Sequence, residues 1–485
     1  MNLGIQDATD KKILIFSLLF VILASIGLWF RLYYFFALPL VLLGTFFILL
    51  KPDLIWLMVF FFTPISINPN DVDLGKLSLS LPVEPILFLL TLLFLYLILS
   101  RKLIDDAFFT HPISILFYCY FIWMFITSMT STNVLVSFKF IIAKAWFIIP
   151  MYFLSYFYFK DEKNILRFIW LFVITLSLVA LFNTVHLSMF SFEDKPSQWT
   201  MQPFFKDHTI LGAIIAMFIP ASIGLINWYK GQYGLKLIAF ILFIILSIGL
   251  LITFSRAAWV SIIPALIVFL FMRFKISFKY LVVIFIFITF YLLIMSDEII
   301  MSLEKNKVSG SDDLVENVES ISNISTDASN LERINRWACA LEMWKDKPVF
   351  GFGPGTYMFE YAPYQLSGNY TEISTNFGDV GNAHSEYLSL MAETGLLGLI
   401  IFLVMFYFVC RTGFRIYKNN INPGDRILAA IALCGLLTYY MHGILNNFLD
   451  TDKAAVPFFV FISVLVALEI RGNRKLLVEE SSHNY

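Results

Sequence analysis

Charged residues are scarce in this chain, and their scarcity excludes several classes of protein. Asp, Glu, Lys and Arg make up only 14% of the 485 residues, whereas 59% are hydrophobic and the mean hydropathy is +0.79. A soluble chain of this composition would lack the polar residues needed to cover its surface. The formal net charge of −1 gives no indication of nucleic-acid binding.

Cysteine is also rare, and its spacing carries no pattern. The four cysteines lie far apart: Cys119, Cys339, Cys410 and Cys434. Because none of them forms a CxxC pair, the sequence predicts neither a disulfide framework nor a zinc site. The chain also has no internal repeat and no glycine-rich phosphate loop.

Long apolar runs, by contrast, recur along almost the whole chain. About 14 of them approach the length of roughly 20 residues that spans a hydrocarbon core. They lie near residues 13–30, 33–50, 52–66, 82–100, 112–129, 139–159, 165–185, 208–228, 236–254, 257–272, 280–296, 386–409, 427–446 and 455–470. The sequence therefore predicts an all-α integral membrane protein, a polytopic bundle of transmembrane helices. Because the third and tenth runs are short, the predicted number of these helices is about 12–14. The first run follows Lys11 and Lys12 and precedes no small-residue cleavage site, so we expect an anchor and not a removable signal peptide.

Positive charge predicts the orientation of the bundle, because Lys and Arg concentrate in cytoplasmic loops. With the N-terminus inside, the Lys- and Arg-rich segments all fall on one side: 101–102, 160–167, 230–236, 273–279, 411–426 and 471–475. The opposite loops are richer in acids: 68–84, 186–207, 297–385 and 447–453. We therefore expect both ends of the chain in the cytoplasm and a large external loop at 297–385.

Three basic or titratable residues are predicted to share the external side. Arg256 interrupts an apolar stretch at a hairpin between two spans, where a deeply placed arginine would cost about 2.5–3.5 kcal/mol. Snorkelling to the interface is one explanation, and an anionic partner is the better one. Arg333 lies on a segment, 331–344, with the apolar spacing of an amphipathic helix on the membrane surface. His384 lies where the polar loop returns to an apolar helix, and its alternative role is that of a helix cap.

These residue types together have a chemical meaning. Two guanidinium groups can bind a pyrophosphate through bidentate hydrogen bonds and stabilise it as a leaving group. An imidazole with a pKa near neutrality can accept a proton from an attacking hydroxyl. The combination predicts glycosyl transfer from a lipid-pyrophosphate sugar.

At these residues the chain resembles the superfamily of O-antigen ligases and O-antigen polymerases, which are bacterial envelope glycosyltransferases. The resemblance is strongest over residues 237–403 and rests on three motifs in a fixed order. They are Ser255-Arg256-x-x-Trp259, then Arg333-x-x-x-Trp337 followed by Lys347-Pro348-Val349-Phe350-Gly351-Phe352-Gly353, and last His384-Ser385, nine residues and Gly395-x-x-Gly398.

The resemblance implies a bundle with an external loop over the active site, on the periplasmic side of the bacterial inner membrane. It implies an undecaprenyl-pyrophosphate-linked glycan as donor, a lipid A-core or other glycan as acceptor, membrane lipids as surroundings, and neither nucleic acid, metal nor other cofactor. Arg256 and Arg333 would bind the pyrophosphate, and His384 would activate the acceptor. Whether Arg336 takes the place of Arg333 stays open. The regions implied are 1–235 as an N-terminal bundle, 236–410 as the catalytic region, and 411–485 as C-terminal helices with a tail.

Further polar residues on the external side are weaker candidates for substrate binding. Lys206 and His208 would add positive charge, although a helix N-cap at Asp207 or Thr209 explains this segment as well. Asn446 and Asp450, with their neighbours His442, Asn447 and Asp452, would orient sugar hydroxyls or satisfy one another. Two Asp-x-Asp pairs, at 71–73 and 450–452, leave a divalent metal as the less favoured alternative.

Four functions compete on this sequence. A ligase is favoured because the spacing from His384 to Gly398 resembles that of ligases and the external loop is a single large one. A polymerase would use the same donor. A protein-directed oligosaccharyltransferase needs an acceptor groove that the sequence does not disclose. A transporter would carry charges along its helices and show internal symmetry, whereas here the charges gather on one face.

Overall fold

The computed structural model describes residues 50–69, 79–294, 328–365, 381–419 and 422–483, together with residue 25. These residues form thirteen long helices: α1 (Pro52–Phe62), α2 (Val83–Leu99), α3 (Pro112–Met129), α4 (Val134–Phe159), α5 (Glu162–Ser188), α6 (His208–Trp228), α7 (Tyr233–Ile252), α8 (Arg256–Arg273), α9 (Phe278–Ile294), α10 (Ala328–Asp346), α11 (Glu386–Asn419), α12 (Pro423–His442) and α13 (Asp452–His483). One isolated bridge pairs Ile67 with Leu81. The first two predicted spans, 13–30 and 33–50, lie almost wholly outside the described residues.

The helices coincide with the remaining apolar runs. Nine of those described, α3 to α8 and α11 to α13, are long and apolar enough to cross a membrane. The segments Pro52–Ile65 and Val83–Leu99 are shorter apolar helices, and α9 covers the eleventh run. Twelve helices therefore match the third to fourteenth runs in order, and the prediction of an all-α polytopic membrane protein is confirmed.

The C-terminal helices form the centre of the bundle. The membrane-spanning window of α13 is wholly buried, and most of α6 and α12 is buried too, whereas α7 and α8 expose long apolar side chains on their outer faces. Aromatic side chains fill the contact between α5, α6 and α13: Phe172 and Phe218 stack at 4.1 Å, and Phe218 lies 5.4 Å from Phe461. Close van der Waals packing of this kind is what holds helices together in lipid, where the hydrophobic effect gives little.

The predicted amphipathic segment forms α10. Its apolar face joins a small cluster of buried side chains that is separate from the main core, and this cluster also includes residues of the loop and of α11: Cys339, Ala340, Met343, Phe352, Tyr357, Tyr361, Ala383 and Ala392. The cluster packs α10 against the outer end of α11. The described part of the external loop is therefore fixed to the bundle.

Candidate functional site

Helix α11 is interrupted at Gly395, and the interruption positions the whole outer segment. The Gly395 backbone has φ 69° and ψ −176°, a region that glycine alone occupies readily. A Cβ at this position would lie 2.0 Å from the carbonyl oxygen of Val349. The break separates residues 386–394 from the rest of α11, and the loop segment 348–353 lies in the gap.

Hydrogen bonds from outside the helix satisfy the backbone groups at the break. They are Phe352 N to Ala392 O (3.0 Å), Gly353 N to Glu393 O (2.8 Å), Leu396 N to Pro348 O (3.0 Å) and Trp123 Nε1 to Thr394 O (2.8 Å). Buried backbone groups in a membrane protein need such partners because no water replaces them. The motif pieces 347–353 and Gly395 are thus two parts of one structural unit.

Replacing Gly395 with alanine should destabilise the protein by about 1–3 kcal/mol for the backbone conformation alone, with the clash at Val349 adding to it. Melting of the purified protein in detergent, followed by intrinsic fluorescence, measures the effect. Gly234→Ala is the matched control, because nothing lies within 4 Å of a Cβ there. Equal melting temperatures for the two variants would contradict the proposed dependence on glycine.

The backbone of His384 is held from two sides at the start of the outer segment. Its φ is 46°, an unusual value for a residue other than glycine. Its N–H donates to Asn382 Oδ1 (3.0 Å), and its carbonyl accepts from Trp337 Nε1 (3.3 Å) on α10. The Ser385 hydroxyl accepts from Leu388 N (3.4 Å) at the helix start, so the side chain that caps is that of Ser385.

The imidazole of His384 lies among charged groups. Partial burial lowers its pKa to about 4, and the positive charges of Arg333 and Arg336 contribute to the shift. Glu332 and Asp207 act in the opposite direction. At neutral pH the ring is therefore uncharged and has a lone pair available to accept a proton.

Arg333 and Arg336 lie on the same helix, yet their surroundings differ. Arg336 is buried: its Nε donates to Glu332 Oε1 (2.7 Å), and its guanidinium carbon lies 3.9 Å from the ring centre of Tyr361. The Arg336 carbonyl accepts from Tyr357 Oη (2.8 Å). Arg333 is half-buried and acts electrostatically on His384. The ion pair gives Arg336 a structural role, and a substrate contact for it stays a prediction.

Arg256 is the first residue of α8, on a turn that neighbouring helices hold tightly. Trp259 Nε1 donates to the Leu250 carbonyl (2.9 Å), which ties α8 to the end of α7. A Cβ on Gly212 of α6 would lie only 2.9 Å from the Cβ of Ser255, so α6 packs closely against the same turn. The Ser-Arg-x-x-Trp motif therefore places Arg256 where three helices meet.

The N-terminus of α6 has the capping that the sequence offered as an alternative. Asp207 Oδ1 accepts from Thr209 N (2.8 Å) and Ile210 N (3.1 Å), so the N-cap at Asp207 is confirmed. Lys206 is exposed, and His208 is half-buried in the first turn. Their roles in substrate binding stay predictions.

His442 brings the elements of the site together at the end of α12. Its ring is buried, and Nε2 lies 3.1 Å from Asn446 Nδ2. The ring also lies against the backbone of Ala257, next to Arg256, and within electrostatic range of Arg333 and Asp207. Residues on or next to α6, α8, α10 and α12 thus meet at one end of the bundle, the end that the charge distribution predicts to be external. We call Asp207, Arg256, Arg333, His384 and His442 the external site.

Glu386 organises the loop beside this site, a role that the sequence analysis missed. Its Oε1 accepts from Tyr439 Oη (2.7 Å), Phe448 N (2.8 Å) and Leu449 N (2.9 Å). Its own N–H donates to the Gly443 carbonyl (2.8 Å). The signal available in the sequence was an acidic residue in the first turn of an apolar helix, two residues after His384.

The residues of the second Asp-x-Asp pair have separate partners. Asp450 forms an ion pair with Lys144 of α4 (Nζ to Oδ1, 2.6 Å), and Asp452 accepts a hydrogen bond from Ser66 Oγ. Within the described ranges no three or more His, Cys, Asp or Glu side chains are grouped as metal ligands. The other pair, 71–73, lies outside those ranges. The proposed contacts of Asn446 and Asp450 with sugar hydroxyls stay predictions.

The comparison with protein families agrees with this geometry. Residues 241–403 match a family model described as O-antigen ligase, a span that runs from α7 into α11 and includes Arg256, Arg333 and His384. The predicted resemblance to that superfamily is thereby confirmed. A search of curated proteins found no match.

Proposed function

We propose that this chain, which carries an O-antigen ligase domain at 241–403, transfers a glycan from undecaprenyl pyrophosphate to a hydroxyl of lipid A-core. The reaction would take place at the periplasmic face of the bacterial inner membrane. The observation that carries the proposal is that His384 and His442 both lie within electrostatic range of Arg333, and that His442 lies against the backbone of Ala257, next to Arg256.

The transfer breaks one bond and forms another. The acceptor hydroxyl oxygen attacks the anomeric carbon of the donor sugar, and the bond from that carbon to the pyrophosphate oxygen breaks. The hydroxyl proton passes to the uncharged ring of His384. Undecaprenyl pyrophosphate leaves with the bonding electron pair, and Arg256 and Arg333 stabilise its negative charge by charge-assisted hydrogen bonds.

Substrate binding would also adjust the base. The pKa of His384 is low because of burial and because of the positive charges of Arg333 and Arg336. A bound pyrophosphate would offset those charges and raise the pKa towards neutrality, where general-base catalysis is most effective. The imidazole would therefore become a stronger base only when the donor is present.

The identity of the acceptor distinguishes a ligase from a polymerase, which is the closest alternative. A polymerase uses the same donor and the same base, but its acceptor is a second carrier-linked repeat. A protein-directed oligosaccharyltransferase would share this chemistry too. A transporter is the candidate that is not an enzyme.

Deleting the gene should leave long glycan on the polyprenyl carrier and the core lipid unsubstituted, because polymerisation would continue without ligation. Electrophoresis of the envelope lipids and analysis of the carrier-linked fraction measure both products. Complementation with the unaltered gene is the control. Core lipid that bears one repeat and no longer chains would show instead that the chain is a polymerase.

Transfer by the purified protein should continue in excess chelator, because two arginines would neutralise the leaving group without a divalent ion. The assay compares product formation with and without chelator, on donor and acceptor freed of metal. Activity that disappears and returns with magnesium or manganese would contradict the expectation and favour the Asp-x-Asp alternative.

A further inference from the structure

Two clefts lie on the face opposite the external site, which the charge distribution predicts to be cytoplasmic. The first, here the Lys160 cleft, has a volume of about 430 Å³ and separates the end of α4 from α13. It is lined by Tyr156, Lys160, Ala467, Ile470, Arg471, Arg474 and Lys475. Along α13, Ala467 lies one helical turn deeper in the bundle than Arg471, and Ile470 lies one turn deeper than Arg474. A phospholipid has the same order of groups, because its acyl chains lie in the membrane interior and its phosphate lies at the membrane surface.

Acidic residues hold the cations of this cleft in place. Asp105 is buried and pairs with Lys160 Nζ (2.7 Å) and Arg474 Nη2 (2.6 Å), while Tyr156 Oη donates to it (2.8 Å). Arg471 pairs with Asp425 and with Glu162. Side chains fixed in this way lose little conformational entropy when they bind an anion, which favours binding.

Arg471 also has unused hydrogen-bonding capacity. Its Nε is buried and, among the described residues, donates no hydrogen bond. A buried guanidinium N–H without an acceptor costs free energy, and a phosphate oxygen would supply one if the Arg471 side chain rotates to bring Nε to the surface of the cleft. The cleft therefore has both the charge and an unsatisfied donor for an anionic group.

A second cleft of about 420 Å³ adjoins the first, and Ile470 and Arg474 line both. We call it the Arg415 cleft, and its other charged or titratable lining residues are His111, Arg411, Arg415 and Glu469. The Lys and Arg residues of the two clefts number six: Lys160, Arg411, Arg415, Arg471, Arg474 and Lys475. Among the described residues their acidic ion-pair partners number four, namely Asp105, Glu162, Asp425 and Glu469, which leaves a surplus of two positive charges within that part of the chain.

We propose that each of these clefts binds the phosphate of an anionic phospholipid from the adjacent leaflet. Arg474, which lines both clefts, would then lie between the two headgroups. Basic pockets between transmembrane helices on the cytoplasmic side are suited to such headgroups, since charge attracts the phosphate and the apolar floor accepts the acyl chain. This lipid would be a structural ligand, distinct from the polyprenyl donor bound at the other face.

Native mass spectrometry of the full chain in detergent tests the proposal by titration with phosphatidylglycerol and with phosphatidylethanolamine. The unaltered protein should retain phosphatidylglycerol in preference. Binding by the variant Arg474→Gln/Lys475→Gln should be roughly 30-fold weaker, because each Lys or Arg near an anionic lipid contributes about five-fold in affinity. The matched control, Arg273→Gln/Lys275→Gln, removes two exposed charges from the same face outside the clefts and should bind as before.

Three results would overturn the proposal. They are equal weakening in the control, equal retention of the two lipids, and displacement of phosphatidylglycerol by millimolar inorganic phosphate, which would indicate a site for free phosphate. Should loss of the Arg474–Asp105 pair prevent folding, Lys475→Glu leaves that pair intact. This single variant should also bind phosphatidylglycerol more weakly, and unchanged binding would equally contradict the proposal.

Discussion

The variant His384→Ala should transfer glycan about 10²–10⁴-fold more slowly than the unaltered protein, because it loses the imidazole proposed to accept the acceptor's proton. Transfer from a purified donor to core lipid, under single-turnover conditions, measures the chemical step. The protein should still assemble in the membrane, since Ser385 and not His384 provides the side-chain contact at the helix start. His186→Ala is the control, because it removes another imidazole from the external side without touching the site. Near-normal transfer by His384→Ala would refute the assignment of the base.

The pH dependence of the same reaction provides a second measure of His384. Burial and the charges of Arg333 and Arg336 lower its pKa to about 4, and the base must be uncharged to act. The kcat/KM for the donor reports on the free enzyme. It should therefore stay level from pH 8 down to about pH 5 and decline only as the pH approaches 4. A decline centred near pH 6.5 would show that the imidazole has an ordinary pKa and that the arginines do not act on it.

Removing either arginine of the external site should reduce kcat by about 10²–10³-fold, the usual effect of losing one donor to a developing negative charge. Lysine should restore little of the activity at Arg256 or Arg333, since a point charge cannot reproduce a bidentate guanidinium. We expect the variants at both positions to fold as the unaltered protein does. The measurement is single-turnover transfer, combined with melting of each variant.

Arg336 supplies the contrast for that experiment. Arg336→Ala would break the buried ion pair with Glu332, which should cost about 3–5 kcal/mol of stability. We therefore expect Arg336→Ala to lower the melting temperature strongly and Arg333→Ala to lower activity in a folded protein. The reverse pattern would assign the catalytic role to Arg336, the alternative that the sequence left open.

The membrane helices and their order followed from the sequence because a span of about 20 apolar residues is a local property. The prediction that Arg256, Arg333 and His384 share one side of the membrane came from the alternation of charged loops, and the surroundings of all three meet at one end of the bundle. The distinction between Arg333 and Arg336 did not follow from the sequence, since the i,i+4 pair of Glu332 with Arg336 is visible in the sequence but its burial is not, and Tyr361, which packs on Arg336, lies 25 residues further along the chain.

Other features could not be predicted from the sequence because they too depend on contacts between distant residues. The break in α11 involves segment 348–353, more than 40 residues before Gly395, and no local period indicates such a pairing. The partner of Asp450 is Lys144, on a helix some 300 residues earlier, and the Asp-x-Asp pattern gives no indication of this ion pair. Contacts between distant residues decide the function of each of these side chains.

The break at Gly395 also bears on which parts of the chain position His384, the proposed base. Two carbonyls of residues 386–394 accept from segment 348–353, and Trp337 of α10 donates to His384. Glu386 in the same segment bonds to Tyr439, Gly443, Phe448 and Leu449, so the segment connects the loop before it to the end of α12 and the loop that follows. A chimera that exchanges this loop with a relative's must therefore be joined at Gly395, nine residues inside the helix, and must take residues 439–449 from the same protein as residues 386–394. A junction at Glu386, where the helix begins, would combine the loop of one protein with the outer segment of another and misplace His384 against its own arginines.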